Sequence, residues 1–337
     1  MANPASNAPK RRMLDFCIWV SPPRSRAARC DPVVFKTRSV CRSWTQEQAL
    51  LGEFDVGTTT VLCMSNPADV VADEVLYEVA EHIATITLNA PGRMNTISGL
   101  MLDQLSARLL QADRDPDVRC IVITGAGKAF CAGLDMAAQV GAPKGSLGGM
   151  NTGGGIPSEI DLRFTPPTVL HNLDTPTICA LNGGSAGYGL DLALGCDIRV
   201  AAQSAKLNPG FAKRGIVPES GGTWLLPRMV GYAKAAEIAF TGRTLKADEA
   251  HELGLVNHVV ADELFHEFVQ DLAGEIAANA PLAVRAIKRM MRAAETETFE
   301  QNVHHVFLQL LPLLRTDDFR EGVSAYMEKR TPTFNGR

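Results

Sequence analysis

Residues 182–197, NGGSAGYGLDLALGCD, constrain the fold more than any other stretch of the chain. An apolar run at 176–181 leads in at strand length, five glycines follow within sixteen residues, and Leu190, Leu192, Ala193 and Leu194 open a helical pattern at once. Glycine is needed where backbone must come very close to another group, because any Cβ would obstruct the approach. A strand, a glycine-rich turn and a buried helix in direct succession therefore mark 182–197 as the place where chemistry is expected.

The chain has 337 residues, 46% of them apolar, enough to bury a large core. A formal net charge of -4 offers no basic surface of the kind nucleic acid or anionic lipid requires. No apolar run reaches the roughly 18 residues of a bilayer span. The expectation is a soluble, cytoplasmic protein with no nucleic-acid or membrane partner. Cys17, Cys30, Cys41 and Cys63 fall early, whereas Cys120, Cys131, Cys179 and Cys196 stand singly in apolar runs. Without a CxxC pair, neither a metal site nor a disulfide framework is suggested, and the last four read as buried thiols of a reducing compartment.

The first 73 residues differ from the rest. Arg11, Arg12, Arg24, Arg26, Arg29, Arg38 and Arg42 are scattered among Pro and Ser with no periodic apolar face. Ordering such a segment would cost backbone entropy with little burial in return. Residues 1–73 are expected to be a disordered or mis-annotated N-terminal extension, Met64 being the natural start. A transit peptide fits the arginines but not Asp15, Asp31 and four cysteines.

From Val75 onward strands and helices alternate. A hairpin is expected over 75–88, a helix over 99–113, a buried strand at 120–124 and another at 176–181. The glycine-rich 137–157 reads as a lid. A helix over 160–173 should be interrupted by Pro166-Pro167, and another should start at Glu219. Helical patterns then run from Ala247 to Lys329, with apolar stripes such as Val303, Val306, Leu308, Leu310 and Leu311 that require a partner surface. The class is α/β with an all-helical tail.

Gly183-Gly184-Ser185-Ala186-Gly187 matches the G-x-S-x-G nucleophile elbow, which would need Ser185 with Asp262 and His304 or His305. Nothing around those partners marks them. The glycines at 184, 187 and 189 lack G-x-G-x-x-G spacing, and no Walker lysine follows, so this turn is not expected to cradle phosphate.

Three stretches, AFCAGLDM at 129–136, NGGSAGYGLDLALGCDIRVAA at 182–202 and GIVPESGGTWLLPRMVG at 215–231, together resemble the crotonase, or enoyl-CoA hydratase/isomerase, superfamily. NAPGRMNTIS and ADEAHELGLVNHVV also stand where that family has its motifs. The resemblance covers Val75 to the C-terminus. It implies a ββα spiral core at 74–258 and a C-terminal helical region at 259–337 that packs into a homotrimer or homohexamer. It also implies an acyl-CoA thioester substrate and no separate cofactor, coenzyme A being part of the substrate. Two backbone N–H groups, those of Leu134 and Tyr188, would hold the thioester oxygen as an enolate forms, leaving those two side chains free to vary. Preorganised amides at a helix N-terminus suit developing negative charge. Ala132, Gly133 and Gly187 would let the ligand approach, and Arg93 and Lys128 stand where relatives meet the nucleotide end of CoA.

Hydratases of the family use two glutamates. This chain has Asp191 at the first position and Phe211 at the second, counted back from Gly215-Ile216-Val217-Pro218. An apolar ring cannot exchange a proton, so the two-glutamate mechanism does not carry over. Glu219, in PESGG, stands where several family isomerases present a carboxylate and is the expected base for a double-bond shift. Its alternative is a helix-start acid complementing the dipole, and Asp191 is either a second acid/base or a helix cap. Hydration through Asp191 and Glu219 is the nearest alternative reaction, and a noncatalytic CoA-ester binding protein a distant one.

Overall fold

The computed structural model describes residues 55–56, 59–60, 73–135 and 162–337. Residues 1–70 form one unit and 71–337 another. In the first, β1 (Asp55–Val56) pairs antiparallel with β2 (Thr59–Thr60). The remainder of the proposed extension, and the lid expected at 137–157, lie outside the described residues.

The second unit begins with a hairpin of β3 (Val75–Ala80) and β4 (Ile83–Leu88). Glu81 and His82 close it with φ of 48° and 67°, the left-handed pair that a two-residue hairpin turn demands. Helix α1 (Gly99–Arg114) follows, its first turn capped by the Ser98 hydroxyl accepting from the Met101 amide. Three ββα repeats come next: β5 (Cys120–Gly125), β6 (Ala129–Cys131) and α2 (Pro166–Asn172); β7 (Thr177–Leu181), β8 (Gly184–Ala186) and α3 (Tyr188–Leu194); β9 (Ile198–Ala202), β10 (Lys206–Asn208) and α4 (Gly222–Val230). In each repeat the first strand joins a six-stranded sheet ordered β12-β9-β7-β5-β4-β3 and the second joins a four-stranded sheet ordered β11-β10-β8-β6. Helix α5 (Tyr232–Thr241), β11 (Leu245–Lys246), α6 (Ala247–Glu252) and β12 (His258–Val260) complete the spiral.

Strand β8 was read from the sequence only as part of a turn. At three residues it is too short to show alternation, and its pairing with Cys131 and Leu207 is what makes it a strand. The two prolines of α2 start that helix instead of interrupting it, since a first-turn N–H has no intrahelical acceptor to lose. Helix α4 starts at Gly222, not at Glu219, with Gly221 at φ 103° as its N-cap.

The central strands of the large sheet are buried on both faces, which is why CIVITG, TICAL and IRVAA read as mostly apolar runs, Arg199 being the one charge among them. Ile121, Ile123, Cys179, Leu181 and Ala201 face the spiral helices. The alternate positions Cys120, Val122, Ile178, Ala180, Val200 and Ala202 face α7 (Phe265–Ala277), which presents Phe265, Val269, Ala273 and Ala277 at four-residue intervals. Helix α7 is thus part of the core, and β12 straddles residue 258, where the sequence suggests a boundary.

Helix α8 (Pro281–Ala293) is tied down by charge. Arg285 pairs with Asp113 at 3.1 Å, Lys288 with Asp197 at 2.7 Å, and Arg289 and Arg292 with opposite oxygens of Asp174. Burial acts to raise the Asp174 carboxyl, but the two guanidinium groups outweigh it and hold the pKa below the usual range. Helices α9 (Phe299–Leu313) and α10 (Asp317–Glu328) follow, α9 opening on a capping box between Thr298 and Gln301. No residue of α9 is buried within the chain, although Val303, Phe307 and Leu308 are each more than half exposed. Among the described residues, no helix is long and apolar enough to cross a membrane.

Two carboxamides join the loops that carry the site. Asn95, fully buried at φ 54°, donates to the carbonyls of Ala126 at 2.9 Å and Ala129 at 2.8 Å and accepts from the Ala90 amide at 2.8 Å. Asn182 accepts from the Gly125 amide and donates to the Gly127 carbonyl, both at 3.1 Å. Replacing Asn95 by Ala orphans several buried backbone groups and is expected to destabilise the fold by about 3 kcal/mol. Urea unfolding measures this, and a loss under about 1 kcal/mol would contradict the role given to Asn95.

Candidate active site

Two turns meet at the C-terminal ends of β6 and β8. In the first, Ala132 donates to the Met94 carbonyl at 3.0 Å, and Gly133 and Asp135 bracket Leu134 by bonding to Ile97 at 2.8 and 3.0 Å. That parallel bridge turns the Leu134 N–H away from Ile97. In the second, Gly187, at φ 53° and ψ -123°, is the N-cap of α3; its amide donates to Asn208 and its carbonyl accepts from Leu190 and Asp191. Tyr188, the first residue of the helix, has no intrahelical acceptor. Among the described residues, neither the Leu134 nor the Tyr188 amide has a backbone acceptor.

The turns touch at Gly133, whose φ is 95°. A Cβ there would lie 2.7 Å from the Ala186 carbonyl oxygen and 3.6 Å from the Tyr188 nitrogen, so backbone meets backbone with no room for a side chain. Gly183 is needed for the same reason: a Cβ would stand 2.1 Å from the Lys128 carbonyl oxygen. The sequence shows the glycines of 182–197, but which strand they approach appears only in three dimensions.

Asp191 projects from α3 and is 3% exposed. Its Oδ2 accepts from the Ser220 hydroxyl at 2.8 Å and the Gly222 amide at 3.2 Å. It therefore caps α4 across space and not its own helix, whose N-cap makes no side-chain bond. Gly222 packs flat under the carboxyl, since a Cβ would fall 2.2 Å from Oδ1. Burial pushes the Asp191 pKa up to about 7; Ser220 and Gly222 pull it down and Glu219 adds repulsion.

Glu219 lies in the turn ahead of α4, outside the first helical turn, so it is not a helix-start acid in the ordinary sense. Its residue is open to solvent, yet protein on one side desolvates the carboxyl and raises its pKa above the usual value. The Tyr188 ring is 3% exposed. Its phenol pKa is raised first by burial and then by Glu219, Cys131 and Asp191, which places all three around it. The expectation that this side chain is free to vary therefore fails: it fills space between the catalytic candidates. Burial likewise pushes the Cys131 thiol up to about 12.

Phe211 is 5% exposed, and its ring tip lies 4.0 Å from where a Gly187 Cβ would be. The structure thus gathers Leu134, Tyr188, Asp191, Phe211 and Glu219 around two turns. Ser220 is the neighbour sequence reasoning missed; the hydrogen bond to Asp191 spans 29 residues, beyond any local pattern. Lys128 is exposed, whereas Arg93 pairs with Glu74 at 2.8 Å and donates to the Thr96 carbonyl.

The alternative triad does not assemble. Ser185 is 1% exposed within β8, and its hydroxyl has no partner among the described residues. Asp262 accepts from the Ser204 amide, and His305 contacts Glu297 at 3.0 Å on α9. Among the described residues, no group of three His, Cys, Asp or Glu side chains could hold a metal ion.

The family described as enoyl-CoA hydratase/isomerase matches residues 78–337. The chain is 40% identical over 267 residues to a 1,2-epoxyphenylacetyl-CoA isomerase of Escherichia coli, covering 78% of this chain and 98% of that one. It is 36% identical over 266 residues to an enoyl-CoA hydratase of Mycobacterium tuberculosis, with 78% and 97% covered. The solved enoyl-CoA hydratase of Bacillus anthracis superposes with a TM-score of 0.71 at 32% identity, covering 79% of this chain and all of that one. With the spiral of ββα repeats and the paired turns, these likenesses establish that the chain belongs to the enoyl-CoA hydratase/isomerase family, the crotonases.

Proposed function

We propose that this crotonase shifts the double bond of an enoyl-CoA, with Glu219 as its base. The observation that carries the reading is the pairing of an apolar wall at Phe211 with a carboxylate at Glu219, beside amides with no backbone acceptor. Hydration needs a water held between two proton-transferring groups, and the Phe211 ring supplies none. Relatives bear both names, an epoxide thioester isomerase in Escherichia coli and an enoyl-CoA hydratase in Mycobacterium tuberculosis, so the reading rests on the site.

In the proposed reaction the thioester oxygen of a 3-enoyl-CoA accepts from the Leu134 and Tyr188 amides. Glu219 removes a proton from C2, and the electrons move onto that oxygen as a dienolate. The same carboxylic acid returns the proton at C4, leaving the conjugated 2-enoyl thioester. A pKa above the ordinary carboxylate value suits a group that must both take and give a proton near neutrality. Each amide donor is worth about 10²- to 10³-fold in rate. Ala132, Gly133 and Gly187 admit the thioester, and Phe211 packs against its acyl part. Lys128 is the more available cation for the nucleotide end of CoA, since Arg93 is engaged by Glu74. No cofactor beyond the substrate's own coenzyme A is required.

A lyase reading, hydration through Asp191 and Glu219, draws support from the closeness of those two carboxyls. Either reaction suits fatty-acid metabolism in the cytoplasm. The unburied α9, with its exposed Phe307 and Leu308, supports self-association as a trimer or a dimer of trimers.

Glu219→Gln is expected to lower kcat for isomerisation by at least about 10³-fold, because the only proposed proton carrier is lost. Solvent deuterium should cease to enter C2 and C4, whereas undiminished exchange would refute Glu219 as base. Heavy-oxygen water separates the two reactions, since label in the product means hydration. Light scattering should give three or six times the mass of the chain, and Phe307→Asp with Leu308→Asp should lower it; a monomeric wild type would overturn the assembly reading.

A further inference from the structure

Asp191 is held in a way that the double-bond shift does not itself require. One oxygen, Oδ2, receives both the Ser220 hydroxyl at 2.8 Å and the Gly222 amide at 3.2 Å, and the Ser220 backbone amide also bonds to the carboxyl. Ser220 is itself 2% exposed, so its hydroxyl has no bulk water to turn to. Two donors on one oxygen make that oxygen a fixed acceptor.

We propose that Ser220 is a positioning residue, acting through Asp191: its hydroxyl holds the carboxyl in one orientation and favours its charged form. This deepens, and rests on, the reading of the site as acyl-CoA proton chemistry. Two carboxyls in one pocket do not ionise independently, so an Asp191 anion raises its neighbour Glu219 and makes it a stronger base, and neutralising Asp191 weakens it. Ser220 opposes burial by favouring the Asp191 anion.

The groups facing Asp191 are few. Glu219 approaches from the turn before α4 and Tyr188 from its own helix. Cys131 on β6 acts on the Tyr188 phenol, and on α2 His171 stacks edge-on against Trp224 of α4 at 5.4 Å. None of these donates to Oδ2, so removing the Ser220 hydroxyl leaves only backbone donors among the described residues, the amides of Gly222 and Ser220.

The test uses the full chain labelled with ¹³C at the aspartate carboxyl, the Asp191 resonance being the one lost in Asp191→Asn. Its midpoint should lie near neutrality in the wild type and move up by about one pH unit in Ser220→Ala, because a hydrogen bond favouring the anion has been removed. Ser220→Cys keeps the volume with a weaker donor and should move it the same way. In both variants kcat should fall by about tenfold with KM within about twofold, and Ser220→Ala should cost nothing further in an Asp191→Asn background. A midpoint that stays put in both variants overturns the inference, as does an unchanged kcat despite a moved midpoint, or an equal loss in the Asp191→Asn background. If the wild type hydrates and does not isomerise, the isomerase reading falls, and the same comparison made on hydration still judges Ser220.

Discussion

The site depends on one close approach, backbone of the 132–134 turn against backbone of the 186–188 turn, with Gly133 between them. At 2.7 Å from the Ala186 carbonyl oxygen there is no space for a Cβ, and φ 95° would strain any other residue. This contact sets the separation of the Leu134 and Tyr188 amides, and everything else in the pocket is arranged around it. Asn95 and Asn182 keep the approach from relaxing, because each bridges loops that would otherwise leave buried backbone groups unsatisfied. The ββα repeat provides the frame: each turn of the spiral sends one strand to each sheet and brings the next glycine turn to the same edge.

Around this rigid junction the electrostatics are graded. Asp191 is deeply buried and bonded by the Ser220 hydroxyl and by backbone amides; Glu219 is half in water and bonded by none but its own backbone. Burial raises both carboxyls above the ordinary carboxylate range, Asp191 to about 7. The Tyr188 ring is buried close enough for both carboxyls to raise its phenol. Phe211, 5% exposed, adds an apolar wall beside Gly187.

Much of the fold was legible in advance. The double-faced sheet shows as mostly apolar strands, α7 as a four-residue stripe, and the hairpin as two runs around Glu81-His82. Glycine content marks 182–197 as a place of close approach, and residue order carries the family likeness. Less was legible about boundaries and partners. Strand β8 is too short to have a period, Pro166-Pro167 can start or stop a helix, and Glu219 stands ahead of α4 because Gly221 takes the left-handed cap.

By itself, the sequence determined the class of fold, the glycines and the presence of carboxylates at 191 and 219, since these are matters of composition, periodicity and residue type. Only the tertiary structure decided that Asp191 caps a helix not its own, that Ser220 holds it, that Arg93 is engaged by Glu74, and that Ser185 has no triad around it. The reason is physical. Each of these is a contact between segments far apart along the chain, and hydrogen bonding and desolvation depend on what stands within a few ångströms, not on what is adjacent in sequence.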